Sequence, residues 1–225
     1  PTHQAADCLR DTSGTGVPPC ALPNLTQSAP SVGTGVWTVV SGTATITTAS
    51  SPTTTITGIA AGTSATFRWT VTNGTCSDTD DVILTNDEAV TVSDEADQDQ
   101  CDNGSLTMTQ SAPSVGTGLW TVFAGSATIT TPSSTNTTIT GIAAGSSATL
   151  RWTVSNGTCS DTDDVILTND EGVTVSDEAG QDQCDNGSFT MTQSAPSVGT
   201  GVWTVVSGTA TITTANDPVT TITGI

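Results

Sequence analysis

Apolar and polar residues alternate with a period of two along most of the chain. Trp37 and Val39 fall on one face of a predicted strand, and Phe67, Trp69 and Val71 share a face of another. Threonines fill many of the opposite positions, and β-branched side chains suit a pleated, half-exposed surface. Alternation over short runs predicts β-strands, and no segment has the 3.6-residue period of an amphipathic helix.

Turn-forming residues separate the predicted strands. Asn73-Gly74 lies between the Phe67–Thr72 run and the Val82–Leu84 run, and Asn-Gly is the strongest short-range signal for a β-hairpin. About six or seven short strands with this spacing predict a two-sheet antiparallel sandwich.

The strand pattern repeats every 83 residues. Residues 27–109 and 110–192 are identical at 70 of 83 positions, and a third copy starts at Gln193. Since this period is too long for a solenoid unit, each repeat is expected to be a small autonomous domain. The predicted fold is all-β, a tandem array of Ig-like antiparallel β-sandwich modules.

Three modules follow from the repeat. We expect them at residues 1–88, 89–171 and 172–225. About the first 19 residues match the repeat poorly, and the third copy stops at Ile225, before the counterpart of Phe67. The partial copy favours a natural chain that continues.

The alternation places all five tryptophans in the hydrophobic cores rather than on sugar-binding surfaces: Trp37, Trp69, Trp120, Trp152 and Trp203.

Charge narrows the possible functions. Twenty-two acidic and three basic residues give a formal charge of −19, which disfavours binding to nucleic acid or to anionic membranes. No apolar run approaches the roughly 20 residues that span a bilayer, so membrane insertion is not expected. The chain has no lysine and a single histidine, His3, for which we expect no role. It is therefore predicted not to be an enzyme.

Charged pairs are expected within the sheets. Arg68 and Arg151 point outward from their strands, beside an aspartate-rich hairpin. A surface salt bridge from Arg68 to Asp80 or Asp81 is the predicted role, and such bridges contribute about 0–1 kcal/mol.

The six cysteines lack the close pairs of a zinc site and predict disulfides in an oxidising, extracellular compartment. Spacing leaves two pairing schemes open. One closes each module on itself, through Cys20–Cys76 and Cys101–Cys159. The other pairs all six, through Cys8–Cys20, Cys76–Cys101 and Cys159–Cys184.

Acidic residues concentrate after the hairpins and between modules. Carboxylates at alternate positions could bind Ca²⁺ and stiffen the junctions, although the pattern does not match an EF-hand loop. The candidate ligands are Asp97, Asp99, Asp102, Asp182 and Asp185. The alternative interpretation is a solvated acidic surface that keeps the array soluble. No other cofactor is expected.

Four motifs carry a family resemblance: Gly-Val-Trp-Thr-Val-Val-Ser-Gly at 35–42, Thr-Ile-Thr-Gly at 55–58, Arg-Trp-Thr-Val-Thr-Asn-Gly-Thr-Cys at 68–76 and Asp-Asp-Val-Ile-Leu at 80–84. Together they resemble the PKD-like, Ig-like repeats of large secreted bacterial surface proteins, including filamentous and SprB-type gliding-motility adhesins. The resemblance covers nearly all of the chain beyond the first 19 residues.

The resemblance implies a function. It suggests a non-catalytic stalk or filament segment at the bacterial cell surface, whose partners are further copies of the repeat or neighbouring subunits. It also favours the disulfide scheme that closes each module on itself. The alternative is a repeated binding module that recognises glycans or a partner protein by avidity, through loops Ser28–Gly35 and Ser50–Thr55. Those loops carry no aromatic residue.

Overall fold

The computed structural model describes residues 24–101, 104–184 and 187–225. These residues form sixteen β-strands joined by turns and loops, with no helix among them. In the first repeat the strands are β1 (Asn24–Thr26), β2 (Thr34–Ser41), β3 (Thr45–Ile46), β4 (Thr53–Thr57), β5 (Thr63–Asn73) and β6 (Cys76–Asn86).

The second repeat reproduces this order after a further strand, β7 (Gln98–Cys101), whose counterpart in the first repeat lies outside the described residues. Its other strands are β8 (Ser105–Thr109), β9 (Thr117–Ala124), β10 (Thr128–Ile129), β11 (Asn136–Thr140), β12 (Ser146–Asn156) and β13 (Cys159–Asp170). The third repeat contains β14 (Ser188–Thr192), β15 (Thr211–Ile212) and β16 (Val219–Thr223).

Each complete repeat is built from two sheets. In the first repeat the sheets are β1-β4-β3 and β2-β5-β6, and in the second they are β10-β11-β8 and β7-β13-β12-β9. The apolar faces form two separate hydrophobic clusters, one in each repeat. Val90 belongs to the second cluster, although it lies only four residues beyond the end of β6.

Tryptophan pairs occupy the centre of each core. Trp37 on β2 lies opposite Trp69 on β5, with ring centroids 5.1 Å apart, and Trp120 and Trp152 repeat this arrangement at the same distance. All four are at most 4% exposed. Tilted pairs at this distance are favourable aromatic contacts, and the predicted core role of these four residues is confirmed.

The predicted Asn-Gly hairpin is present and longer than expected. Asn73 pairs with Cys76, and the two strands of the hairpin remain paired as far as Thr63 and Asn86. The aspartate-rich run therefore lies inside β6 rather than in a loop after the turn. A second difference is the parallel pairing of β7 with β13, in an array predicted to be antiparallel.

The third repeat corrects one core prediction. Trp203 is only half-buried, because no strand among the described residues of this repeat takes the place of β5 or β12. Residues 200–207, the counterpart of β2, do not form a strand. An open groove of about 630 Å³ lies beside Trp203, and Val206 is 94% exposed.

Substitution of a glycine in β9 tests how tightly the tryptophan pair is packed. A Cβ at Gly118 would overlap the indole ring of Trp152. The ring cannot move away, because it is buried against Trp120. Gly118→Ala should therefore destabilise the second repeat by about 1–3 kcal/mol, the usual cost of overpacking. Hydrogen exchange measured by mass spectrometry on β12 and β13 peptides would report this loss.

The third repeat supplies a matched control for this substitution. A Cβ at Gly201, the counterpart of Gly118, would meet no atom within 4 Å. Gly201→Ala should leave hydrogen exchange of the second repeat unchanged. Unchanged exchange of β12 and β13 in Gly118→Ala would contradict the tight packing assigned to Trp152.

Candidate functional site: the junction between repeats

An aspartate connects the first two repeats. Asp87 directly follows β6, and its carboxylate accepts hydrogen bonds from the amide of Thr158 at 2.7 Å and from the Thr158 hydroxyl at 3.0 Å. Thr158 lies in the turn between β12 and β13. The end of one repeat is therefore attached to the hairpin turn of the next by hydrogen bonds to a charged acceptor, which are stronger than neutral ones.

The backbone carbonyls of Asp87 and Glu88 extend the contact. The side-chain amide of Asn156 donates to the Glu88 carbonyl at 2.9 Å, and the Cys159 thiol lies 3.8 Å from the Asp87 carbonyl. Cys159 is buried. Burial raises the pKa of its thiol, and the negative charge of Asp87 adds to the effect.

The hairpin turn leaves no space for a side chain. Gly157 has φ of +58°, a conformation that favours glycine, and a Cβ there would overlap the Asp87 carboxylate. Its counterpart Gly74, with φ of +63°, has no atom within 4 Å of the same position. Both turns therefore need a residue that adopts positive φ. Only Gly157, at the junction, also lies too close to another side chain to carry a Cβ.

Beyond the junction, carboxylates on β13 bind the irregular segment 88–97. Asp161 accepts from the Val92 amide and Asp163 from the Glu95 amide, each at 2.9 Å. In the opposite direction, the Asp97 carboxylate accepts from the Ile166 amide at 2.8 Å. Side chains thus supply the acceptors that a neighbouring strand would otherwise provide.

A buried glutamine reinforces one of these contacts. Gln110 donates through its side-chain amide to Asp163 at 2.9 Å and to the Ser93 carbonyl at 3.0 Å. Gln27 makes the equivalent bond to Asp80 in the first repeat, at 2.7 Å. Burial raises the pKa of Asp163, and its hydrogen bond from the Glu95 amide opposes this only in part.

The outward face of the long hairpin carries the predicted ion pairs. Arg68 makes two hydrogen bonds of 2.7 Å to Asp81, one to each carboxylate oxygen, and Arg151 makes the same pair to Asp164 at 2.6 Å. Arg151 also lies over the ring of Phe123, 3.9 Å from its centroid. The choice of Asp81 over Asp80 follows from cross-strand register, since Arg68 and Asp81 are paired residues.

The calcium hypothesis gains no support from the described residues. Among them, no three His, Cys, Asp or Glu side chains converge on a common point. Asp97 is used as an acceptor for a backbone amide, and its counterpart in the next copy is Gly180. Two of the proposed ligands, Asp102 and Asp185, lie outside the described residues. Calcium binding therefore stays a prediction.

One predicted disulfide is incompatible with the strand register. Cys159 is the first residue of β13, whereas Cys101 pairs with Asp170, the last. Because β13 has 12 residues, at about 3.3 Å per residue these cysteines lie about 36 Å apart. A disulfide needs Cα atoms within about 7 Å, so the pairing Cys101–Cys159 is wrong.

The remaining disulfide predictions divide into two groups. The pairs Cys20–Cys76 and Cys8–Cys20 involve cysteines that lie outside the described residues. The pairs of the alternative scheme, Cys76–Cys101 and Cys159–Cys184, stay predictions; Cys76, Cys101 and Cys184 are exposed.

The hydrogen-bonding role of the acidic residues was not predicted. The sequence showed where carboxylates cluster, and both interpretations placed them in contact with solvent or a metal ion. A usable signal was the exact repetition of Asp78 and Asp80 as Asp161 and Asp163 at alternate positions of a strand.

Comparisons with known proteins find similarity to solved structures only, at low identity. No protein-family model matches the sequence, and no curated protein matches it. A three-domain Ig segment of titin is 12% identical, with a TM-score of 0.49, over 84% of this chain and 76% of that chain. Extracellular domains 3–5 of Drosophila OTK are 12% identical, with a TM-score of 0.45, over 60% and 51%.

A longer array is also similar. The N-terminal eight Ig domains of the Down syndrome cell adhesion molecule are 10% identical, with a TM-score of 0.42, over 90% of this chain and 37% of that chain. This chain thus spans less than two thirds of the OTK and adhesion-molecule fragments. By its own sheets and cores, it is an all-β array of Ig-like, mainly antiparallel β-sandwich modules. No helix of membrane-spanning length and hydropathy occurs among the described residues.

Removing the junction carboxylate should loosen the second repeat. Asp87→Ala deletes the acceptor of two hydrogen bonds and leaves the Thr158 amide without a protein partner. Loss of this charged acceptor should lower the unfolding free energy of the second repeat by roughly 1–3 kcal/mol. Faster hydrogen exchange in the β12–β13 hairpin would report it. The matched substitution Asp170→Ala, at the exposed counterpart of Asp87, should change exchange little, and an equal effect at both sites would contradict the role assigned to Asp87.

Asp163 and Asp81 should give stability a pH dependence of opposite sign. The raised pKa of Asp163 favours its protonated form in the folded state. Its contribution to stability therefore grows as pH falls through the raised value, toward the ordinary value of 3.8. Over that interval, the unfolding free energy of the wild type should rise relative to that of Asp163→Asn, as measured by urea unfolding.

The control is the exposed carboxylate of Asp81. Its hydrogen bond from Arg68 holds the pKa of Asp81 below 3.8. The stabilisation it contributes is present above 3.8 and is lost as pH falls through the lowered value. The wild type should therefore lose stability relative to Asp81→Asn at acid pH. Parallel behaviour of the two variants would contradict the environments assigned to these carboxylates.

Proposed function

We propose that this chain is a structural, non-catalytic segment of an extracellular filament, the stalk of a bacterial surface adhesin, in which repetition of the module sets reach. The observation that carries the proposal is the attachment of Asp87 to the Thr158 turn. A stalk must transmit orientation from one module to the next, and directed hydrogen bonds at the junction do this better than a flexible linker.

The second repeat is arranged to resist tension. The chain enters it at Asp87 and leaves it at Asp170, which is the far end of β13. Tension therefore pulls the entering segment and β13 in opposite directions along their length. The parallel β7–β13 ladder and the carboxylate–amide bonds of Asp161 and Asp163 are loaded together in shear, so that they must break together rather than one at a time.

Surface chemistry supports a role outside the cell and away from anionic partners. The charge of −19 keeps the modules soluble and makes their surfaces repel one another. The aspartates on β6 and β13 also place charge on the exposed sheet, which discourages edge-to-edge association between filaments. Lateral aggregation would remove the reach that a stalk provides.

Antibody labelling of intact cells tests the proposal. Antibody to the 83-residue repeat should decorate non-permeabilised cells of the source organism, and electron microscopy should show regular labelling along thin surface fibres. Label confined to the cell interior would contradict the extracellular assignment.

Glycan-array binding by the 225-residue chain would instead support the alternative, a repeated binding module, and would overturn the purely structural function.

A further inference from the structure

Two Asn-Gly turns of nearly identical sequence lie in different surroundings. Asn73-Gly74 is at the tip of the long hairpin in the first repeat, and Asn156-Gly157 is at the tip of the same hairpin in the second. The four residues on either side of each asparagine are the same, except that Thr72 is replaced by Ser155. A difference in the chemistry of the two asparagines must therefore come from the structure around them.

The first of these turns is open to solvent. Asn73 is exposed, and none of the described residues accepts a hydrogen bond from its side-chain amide. A Cβ at Gly74 would meet no atom within 4 Å. The side chain of Asn73 is therefore free to rotate until its carbonyl carbon faces the amide nitrogen of Gly74, which is unhindered because glycine has no side chain.

The second turn is held by the end of the preceding repeat. Asn156 is half-buried, and its side-chain amide donates to the carbonyl of Glu88 at 2.9 Å. The Asp87 carboxylate lies against Gly157, where it would overlap a Cβ. Removal of the Gly157 amide proton would place a second negative charge beside this carboxylate, which is unfavourable. The junction thus opposes both rotation of the asparagine and activation of the glycine nitrogen.

We propose that Asn73 is a site of spontaneous deamidation and that the junction protects Asn156 from the same reaction. The modification requires water and no enzyme. The proposal goes beyond the stalk function and does not depend on it, since it concerns the reactivity of the turn alone. In an array of these repeats, a turn is protected where the preceding repeat binds it and is modified where it is uncovered.

The chemistry is an intramolecular displacement followed by hydrolysis. The Gly74 amide nitrogen loses its proton to solvent and attacks the side-chain carbonyl carbon of Asn73. A C–N bond closes a five-membered succinimide, while the bond to the side-chain nitrogen breaks and that nitrogen leaves, with a proton from solvent, as ammonia. Water then opens the ring at either carbonyl, which leaves aspartate or isoaspartate. No electron is transferred, and either product adds one negative charge to the turn.

Peptide mapping of the folded 225-residue chain, aged at mildly alkaline pH, tests the proposal. Cleavage after arginine and before aspartate releases the two turns as peptides 69–77 and 152–160, each with a single asparagine. Asparagine should be lost from peptide 69–77 at least about tenfold faster, because the reaction at Asn156 must wait for local opening of the junction. Equal rates of loss, or an Asn73 that stays intact, would overturn the proposal.

The unfolded chain is the control for local sequence. In concentrated urea the junction is absent, and the two peptides should lose asparagine at the same rate. A difference that persists in urea would assign the effect to Thr72 and Ser155 and would overturn the role of the junction. Both measurements use the unsubstituted chain, so neither depends on the folding of a variant.

Two matched substitutions test the protecting contact itself. Asp87→Ala should speed the loss of asparagine at Asn156 and leave the rate at Asn73 unchanged. Asp170→Ala, at the exposed counterpart of Asp87, should change neither rate. Near-ultraviolet circular dichroism of the tryptophan pairs shows that each variant keeps its cores. A folded Asp87→Ala chain in which Asn156 reacts no faster than in the wild type would contradict the protection.

Discussion

The segment between β6 and β7 has backbone amides that need partners, and carboxylates supply them. Residues 88–97 run beside β13 without forming a ladder, yet the amides of Val92 and Glu95 bind the carboxylates of Asp161 and Asp163. The contact of Asp87 with the following turn uses the same chemistry. Because buried or half-buried amides without acceptors are costly, the path of the chain from one repeat into the next depends on these carboxylates.

This constraint gives the acidity of the chain a structural meaning. An aspartate accepts hydrogen bonds without donating any when it is ionised, so it can bind an amide that no regular strand reaches. Asp163 is half-buried, and this burial raises its pKa. The aspartates that serve as acceptors in the second repeat, Asp161 and Asp163, are repeated from Asp78 and Asp80 in the first, and solubility is a second consequence of such acidic residues.

Sequence pattern predicted the parts of the fold that depend on which face a side chain occupies. Alternation placed Trp37 and Trp120 correctly in the cores, and Asn73-Gly74 marked the hairpin. The sequence pattern failed where the burial or pairing of a residue depends on a partner strand. Trp203 has the same local sequence but is half-buried because its partner strand is absent, and the parallel β7–β13 pairing has no signature in alternation. Cysteine spacing failed for a related reason, since it does not reveal which end of a strand each cysteine occupies.

Amide hydrogen exchange measured by NMR tests the central claim most directly. If carboxylates replace a neighbouring strand, the amides of Val92, Glu95 and Thr158 should exchange as slowly as the ladder amides of β12, although none of the three lies in a strand. Exchange of these amides at the rate of the exposed loop 172–176 would contradict the account, because it would mean that the carboxylates face water and that the repeats are joined by a flexible linker.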